Sequence, residues 1–254
     1  MTNQLAFAEF LFAWQWATYG AGQLSTRDEA PERPALAALL RESWVRGLTI
    51  RCLIAAAVLV LALKSSAVAF WLSLLLLGAG LLAALTRRSL VRVANLAEYE
   101  LTLNALTVFL AWRISLSLPE AVAILPVPGL SEVRLTVLCT SAAILVFATR
   151  GGSLVVRGVL EKAAGLPQGT GKTGSALRHG EMIGQVERIV VILVWMAGSP
   201  QALAFFFAAK GLIRSKELEE RALADYFLLG SLVSFLIALV SGLLLTKLVL
   251  PLWG

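Results

Sequence analysis

The chain is poor in charge. Asp, Glu, Lys and Arg together make up only 15% of its 254 residues, where soluble globular domains carry about 25%. Too few charged side chains remain to cover a water-facing surface. Histidine occurs once, as His179 in a polar stretch. One imidazole cannot build a zinc centre, which takes three or four ligands, nor is there a second base for a Ser-His-Asp arrangement. His179 therefore receives no catalytic role, and no metal or cofactor is expected. The two cysteines, Cys52 and Cys139, lie inside apolar runs with no Cys-x-x-Cys spacing. They read as buried free thiols rather than a redox or zinc site. The opening stretch MTNQLAFAEFLFAW lacks a basic n-region and a small-residue cleavage site, so no cleaved signal peptide is expected. A nucleotide-binding loop is also missing. In GLPQGTGKT, five residues separate Gly165 from Gly171, one more than the four that let the backbone wrap phosphates before a helix begins.

Apolar residues, by contrast, make up 58% of the chain, above the roughly 45–50% of soluble domains. At about 20 residues per span, this length holds about eight membrane helices and short loops. The expected fold is all-α: a polytopic transmembrane bundle of about eight helices forming one integral membrane domain, residues 1–254. Its first partner is the lipid bilayer. The net charge of +6 is carried by short loops between apolar runs and has no aromatic-basic surface motif beside it, which excludes nucleic acid as a partner.

Taken in order, Leu5 to Gly22 is a short apolar segment containing Glu9 and ending in Trp14, Trp16 and Tyr19, read as an interface belt. It is predicted to span. A polar loop follows from Gln23 to Pro34, then an amphipathic run from Leu36 to Trp44 at the surface. Further spans are expected at Leu48–Leu63, Ala67–Leu85, Asn95–Leu118 and Leu135–Thr149, with a cytoplasmic linker loop over 150–180. Two short helices close a hairpin at Gly198-Ser199-Pro200, and the last span covers Tyr226 to Val249. Positive charge gathers at 27–46, 87–92, 150–178 and 214–221, while the turns at 64–66, 119–134 and 198–200 carry far less. These sets alternate along the eight spans. One orientation satisfies the positive-inside rule throughout, with both termini outside the cytoplasm.

Ionisable groups within apolar sequence are costly and mark pairing or functional sites. Glu187 lies twelve residues before Ser199 and Lys210 eleven after it, so an antiparallel hairpin sets them at one depth. Arg188 sits beside them on another face. Arg214, one turn beyond Lys210, is expected at the cytoplasmic surface near Asp225. These five form the predicted ion-pair cluster. It reads either as a register lock or as part of an ion, proton or polar-substrate path. A second set is Glu9, Glu100 and Asn104, the last two one helical turn apart. Their oxygens could hold a cation or form interhelical hydrogen bonds.

Residues 181–240 resemble a widespread bacterial family of polytopic membrane proteins known as a domain of unknown function. The likeness is carried by Gly184, Glu187 and Arg188, by Lys210 and Arg214, and by Asp225, Tyr226 and Phe227. It implies a multi-pass protein of the cell inner membrane. The family opens with a His and an Asp four residues apart and repeats such residues in later spans, a pattern that looks like a membrane-embedded metal site. Here those positions hold Leu5 and Glu9, then Glu100 and Asn104, so the acids are kept and the histidines are not. Three functions are in view: a non-enzymatic subunit or partner of a membrane assembly, with a protein partner or homo-oligomer; a small transporter using Glu9, Glu187, Lys210 and Arg214; and an altered metal-dependent hydrolase.

Overall fold

A computed structural model describes residues 2–19, 43–62, 67–93, 96–117, 131–164, 174–213, 221–249 and 251. Among these the architecture is helical throughout, with no strand. The helices are α1 (Thr2–Tyr19), α2 (Ser43–Ala62), α3 (Ala67–Val93), α4 (Leu96–Ser117), α5 (132–164), α6 (Gly174–Met196), α7 (Gln201–Ile213) and α8 (221–249). Two of them are long and apolar enough to cross a membrane, over Val133–Ala163 and Leu228–Lys247. Leu48–Ala57, Phe70–Ala83 and Gln201–Leu212 are shorter apolar helices.

Local chemistry fixes several ends. The Ser131 hydroxyl accepts from the Arg134 amide at 3.4 Å, capping α5. α6 stops at Gly198, whose φ of +71° suits a residue without Cβ. There the Gly198 amide donates to Trp195 O at 3.0 Å and the Ser199 amide to Val194 O at 3.3 Å, the paired bonds of a Schellman turn. Pro200 then opens α7, where a missing amide hydrogen costs nothing.

Two apolar clusters form the interior. One draws Phe10, Trp14, Leu48, Cys52, Leu72, Leu76 and Leu103 from α1 to α4. The other draws Val137, Ala148, Val191, Ile192, Leu203, Ala238 and Leu245 from α5 to α8. α1 stands between them, packed on α2, α3, α4 and α5. Its Leu5, Ala6, Ala8, Phe10, Ala13, Trp14 and Ala17 are all buried. It is apolar around most of its circumference, as a central helix must be, and its alanines let neighbours approach closely.

Residue contacts fix the directions. α2 and α3 are antiparallel, with Cys52 against Gly80 and the Ser73 hydroxyl donating to Ala56 O. α3 and α4 are antiparallel through Thr86 and Tyr99. α1 and α4 are antiparallel, Trp14 meeting Asn104 and Tyr19 meeting Glu100. α6 and α8 run parallel, Arg188 meeting Ser234 and Trp195 meeting Gly242. α1 lies along the first half of α5, its end Tyr19 against Phe147, so these two are parallel as well.

Three expectations are corrected. The 150–180 stretch is not a loop: helix continues over Gly152–Ala164 and resumes at Gly174, leaving only 165–173 outside the described residues. Over 152–164 the charges fall on helical turns, where Arg157 pairs with Glu161 one turn on at 2.9 Å. Consequently α6, at 23 residues, is not short, whereas α7, at 13, is. Helix α2 also begins at Ser43 rather than Leu48. The rest of the expected amphipathic run, 36–42, lies outside the described residues.

The tightest helix contact offers a test. A Cβ added at Gly80 would fall 2.5 Å from Cys52 Sγ. Gly80→Ala should destabilise the protein by about 1–3 kcal/mol through overpacking, read by thermal unfolding in detergent. Adding Cys52→Ala should recover most of that loss. No recovery would mean that α2 and α3 do not meet here.

Candidate functional site

The first polar node ties α1 to α4. Asn104 Oδ1 accepts from Trp14 Nε1 at 3.1 Å and from Gln15 Nε2 at 3.2 Å. Asn104 Nδ2 donates to the Tyr19 hydroxyl at 2.6 Å and to Glu100 O at 2.8 Å. The Tyr19 hydroxyl in turn donates to Glu100 Oε2 at 3.0 Å. Two donors and two lone pairs exhaust an amide's capacity, so Asn104 is saturated. Trp14 can only donate, which fixes the amide's orientation. Stranding any one of these buried partners would cost about 1–3 kcal/mol.

Two arginines close the end of α1. Arg51 of α2 donates from Nε to Ala17 O at 2.8 Å, and Arg150 of α5 donates from Nη1 to Tyr19 O at 3.0 Å. The last carbonyls of a helix have no partner within it and carry the negative end of its dipole, so cations suit them.

The second node centres on Arg188, which is 2% exposed. Its Nη1 donates to Ser234 Oγ at 3.0 Å, and its Nη2 to Thr149 O at 2.7 Å and Ser153 Oγ at 2.5 Å. Its guanidinium thus joins α6 to α5 and α8 through neutral oxygens. The neighbouring residue points the other way: Glu187 Oε2 accepts from Lys210 Nζ at 2.6 Å, joining α6 to α7. The ion pair is largely enclosed, with side chains 13% and 20% exposed.

Of the predicted cluster, then, Glu187 and Lys210 are in contact and Arg188 lies on a separate face. Arg214 and the side chain of Asp225 lie outside the described residues. The second predicted set does not assemble. Glu100 and Asn104 meet at the end of α1, whereas Glu9 stands about 15 Å up that helix from Tyr19, at 1.5 Å per residue. Asn104 has no lone pair left for a cation. Glu9 Oε2 is buried with no hydrogen-bond partner among the described residues, as are Gln15 Oε1 and Arg188 Nε. Leu5 is buried in apolar packing. Among the described residues, no group of three or more His, Cys, Asp or Glu side chains converges as metal ligands would.

Sequence reasoning missed Trp14, Gln15 and Tyr19 as node members, because aromatics at a helix end first suggest an interface belt. Gln15, an amide within an apolar run, was the available signal. The hydroxyl partners Ser153 and Ser234 gave none. An apolar groove also opens between α3 and α4, lined by Trp71, Leu74, Gly78, Leu82, Leu106 and Leu110.

Comparison with known proteins returns no match: no family model fits the chain, and no curated protein or solved structure matches it. The likeness noted for residues 181–240 rests on its residues alone.

Charge reversal tests the α6–α7 pair. Glu187→Lys or Lys210→Glu alone should cost about 3–5 kcal/mol, since each leaves like charges in an enclosed site. The double swap should restore most of the stability, measured by denaturation in micelles. A double variant no better than either single one would remove the pairing.

Proposed function

We propose that the chain is a polytopic protein of the cell inner membrane, with eight spans, serving as a non-enzymatic subunit or partner of a membrane assembly. One observation carries the membrane part: large apolar side chains face outward while several polar ones are enclosed. Phe205, Leu212 and Leu232 are 79%, 76% and 64% exposed, while Glu100, Thr107 and Arg188 are each 2% exposed. In water such an exterior would collapse onto other molecules. In lipid it is solvated, and the interior polar groups act as interhelical ties. The directions of α1, α5, α6 and α8 support eight crossings. Strict alternation requires first and fifth spans to be parallel, and likewise sixth and eighth. At 13 residues, α7 reaches about 20 Å, short of a 30 Å hydrocarbon core, and leans on its neighbours. The assembly part is supported by what the nodes do. Most of their hydrogen bonds join one helix to another, leaving a broad apolar exterior as the surface offered to others.

Reporter fusions at 64–66, 119–130, 198–200 and the C-terminus should behave as extracytoplasmic, and those at 165–173 and 214–220 as cytoplasmic. A reporter of opposite sign at any one of them breaks the eight-span topology. Purification in mild detergent followed by mass spectrometry should yield a stoichiometric partner. A clean homo-oligomer would move weight to transport.

That second reading is favoured by one residue. Glu9 has a shielded carboxyl oxygen with no partner among the described residues, and intramembrane acids commonly serve ion pathways. Transport predicts ion flux in reconstituted vesicles that Glu9→Gln abolishes. Flux absent from both proteins, or equal in both, would dismiss it.

A further inference from the structure

The α5 helix changes pitch once along its length. Over Phe147–Gly151 it widens to a π turn, the Gly152 amide reaching Phe147 O five residues back. Such turns are rare and persist where something outside the helix favours them. Here three other helices meet α5 within that turn. From α1, Tyr19 meets Phe147 edge-on, ring centroids 6.2 Å apart, and offers its carbonyl to Arg150 at 3.0 Å. From α6, Arg188 donates to Thr149 O and Ser153 Oγ, and the same guanidinium reaches Ser234 of α8. Thr149 O is therefore answered by side chains, Ser153 Oγ adding a second bond at 3.0 Å. Gly151 and Gly152 make the crowding possible. A Cβ at Gly151 would fall 2.7 Å from the Phe147 ring, and one at Gly152 would fall 3.2 Å from Ile237 and 3.4 Å from Arg188 Nε.

A π turn holds one residue more than an α turn. Closing it to α pitch would rotate everything beyond it by about 100° and shift it by about 1.5 Å relative to what precedes it. What lies beyond is Gly152–Ala164, packed on α4 where the exposed Lys162 reaches Glu98, and on α8 with Leu160 over Gly230. We propose that Phe147–Gly151 is a two-position register joint, with Arg188 as the latch that holds the wide position and keeps the 152–164 segment on α4. With the guanidinium withdrawn, the turn closes and the segment swivels away from Glu98. The first half of α5 stays packed along α1. Because Glu187, one residue before the latch, ties α6 to α7, movement of the α6–α7 hairpin is transmitted to the joint.

Cysteine crosslinking reads the swivel. In a background with Cys52→Ala and Cys139→Ala, one pair is Glu98→Cys with Lys162→Cys, and the control pair is Ala56→Cys with Ser73→Cys on α2 and α3. When Arg188 is present, a short bismaleimide should link the exposed 98/162 pair efficiently, and copper-phenanthroline oxidation should link the buried 56/73 pair. Arg188→Gln should lower the 98/162 yield about fivefold or more, the range of ordinary conformational couplings, and leave the 56/73 yield unchanged. An unchanged 98/162 yield overturns the latch. If Arg188→Gln abolishes both links by unfolding the protein, the milder Ser153→Ala/Ser234→Ala variant decides. A selective fall at 98/162 sustains the joint. An unchanged yield overturns it, and so does loss of both links, because these contacts would then hold the whole bundle rather than one turn.

Discussion

α1 is enclosed by α2, α3, α4 and α5, so side chains from those helices can reach the carbonyls left over in its last turn. Arg51 and Arg150 supply that answer from two directions. The same enclosure explains the Asn104 node. Trp14, Gln15 and Tyr19 carry polar atoms into a region without bulk water, and one amide with four bonding positions collects them. Once α1 is central, the positions of α4 and α5 are no longer free. α4 must place Asn104 beside Trp14, and α5 must place Arg150 beside Tyr19.

The second half of the molecule is organised by the Glu187-Arg188 pair. Consecutive residues on a helix point about 100° apart, so two neighbours can hold two different helices. Glu187 holds α7 by charge, and Arg188 holds α5 and α8 by hydrogen bonds to neutral oxygens. Arg suits this task because its planar fork presents several donors at fixed angles, whereas a Lys presents a single point charge. Small residues complete the fit: Gly152, Gly230 and Gly242 lie under Arg188 and Ile237, Leu160 and Trp195 respectively.

What could be read from the sequence follows how local the geometry is. Glu187 and Lys210 are separated by 23 residues across one tight turn, and counting from Ser199 is enough to set them level. Asn104 and Tyr19 are separated by 85 residues, with two described helices between theirs. No spacing rule carries a pairing that far, and Glu9 was grouped with the wrong partners for that reason. The 152–164 helix was hidden by its charges, which interrupt the apolar run as a loop would yet fall one turn apart along a helical face. The central place of α1 was hidden by uniformity: a helix apolar on nearly all sides has no period that says which side faces in.

The parallel pairing of α1 with α5 has a consequence for biogenesis. Arg150 follows Tyr19 by 131 residues. At about 5–20 residues per second, the ribosome needs roughly 7–26 seconds to deliver it after α1 has been made. Arg51 reaches the Ala17 carbonyl after only 34 residues and Asn104 reaches Gln15 after 89, so by then only the Tyr19 carbonyl still waits for its arginine. α1 is thus tied in stages, first by α2, then by α4 and last by α5.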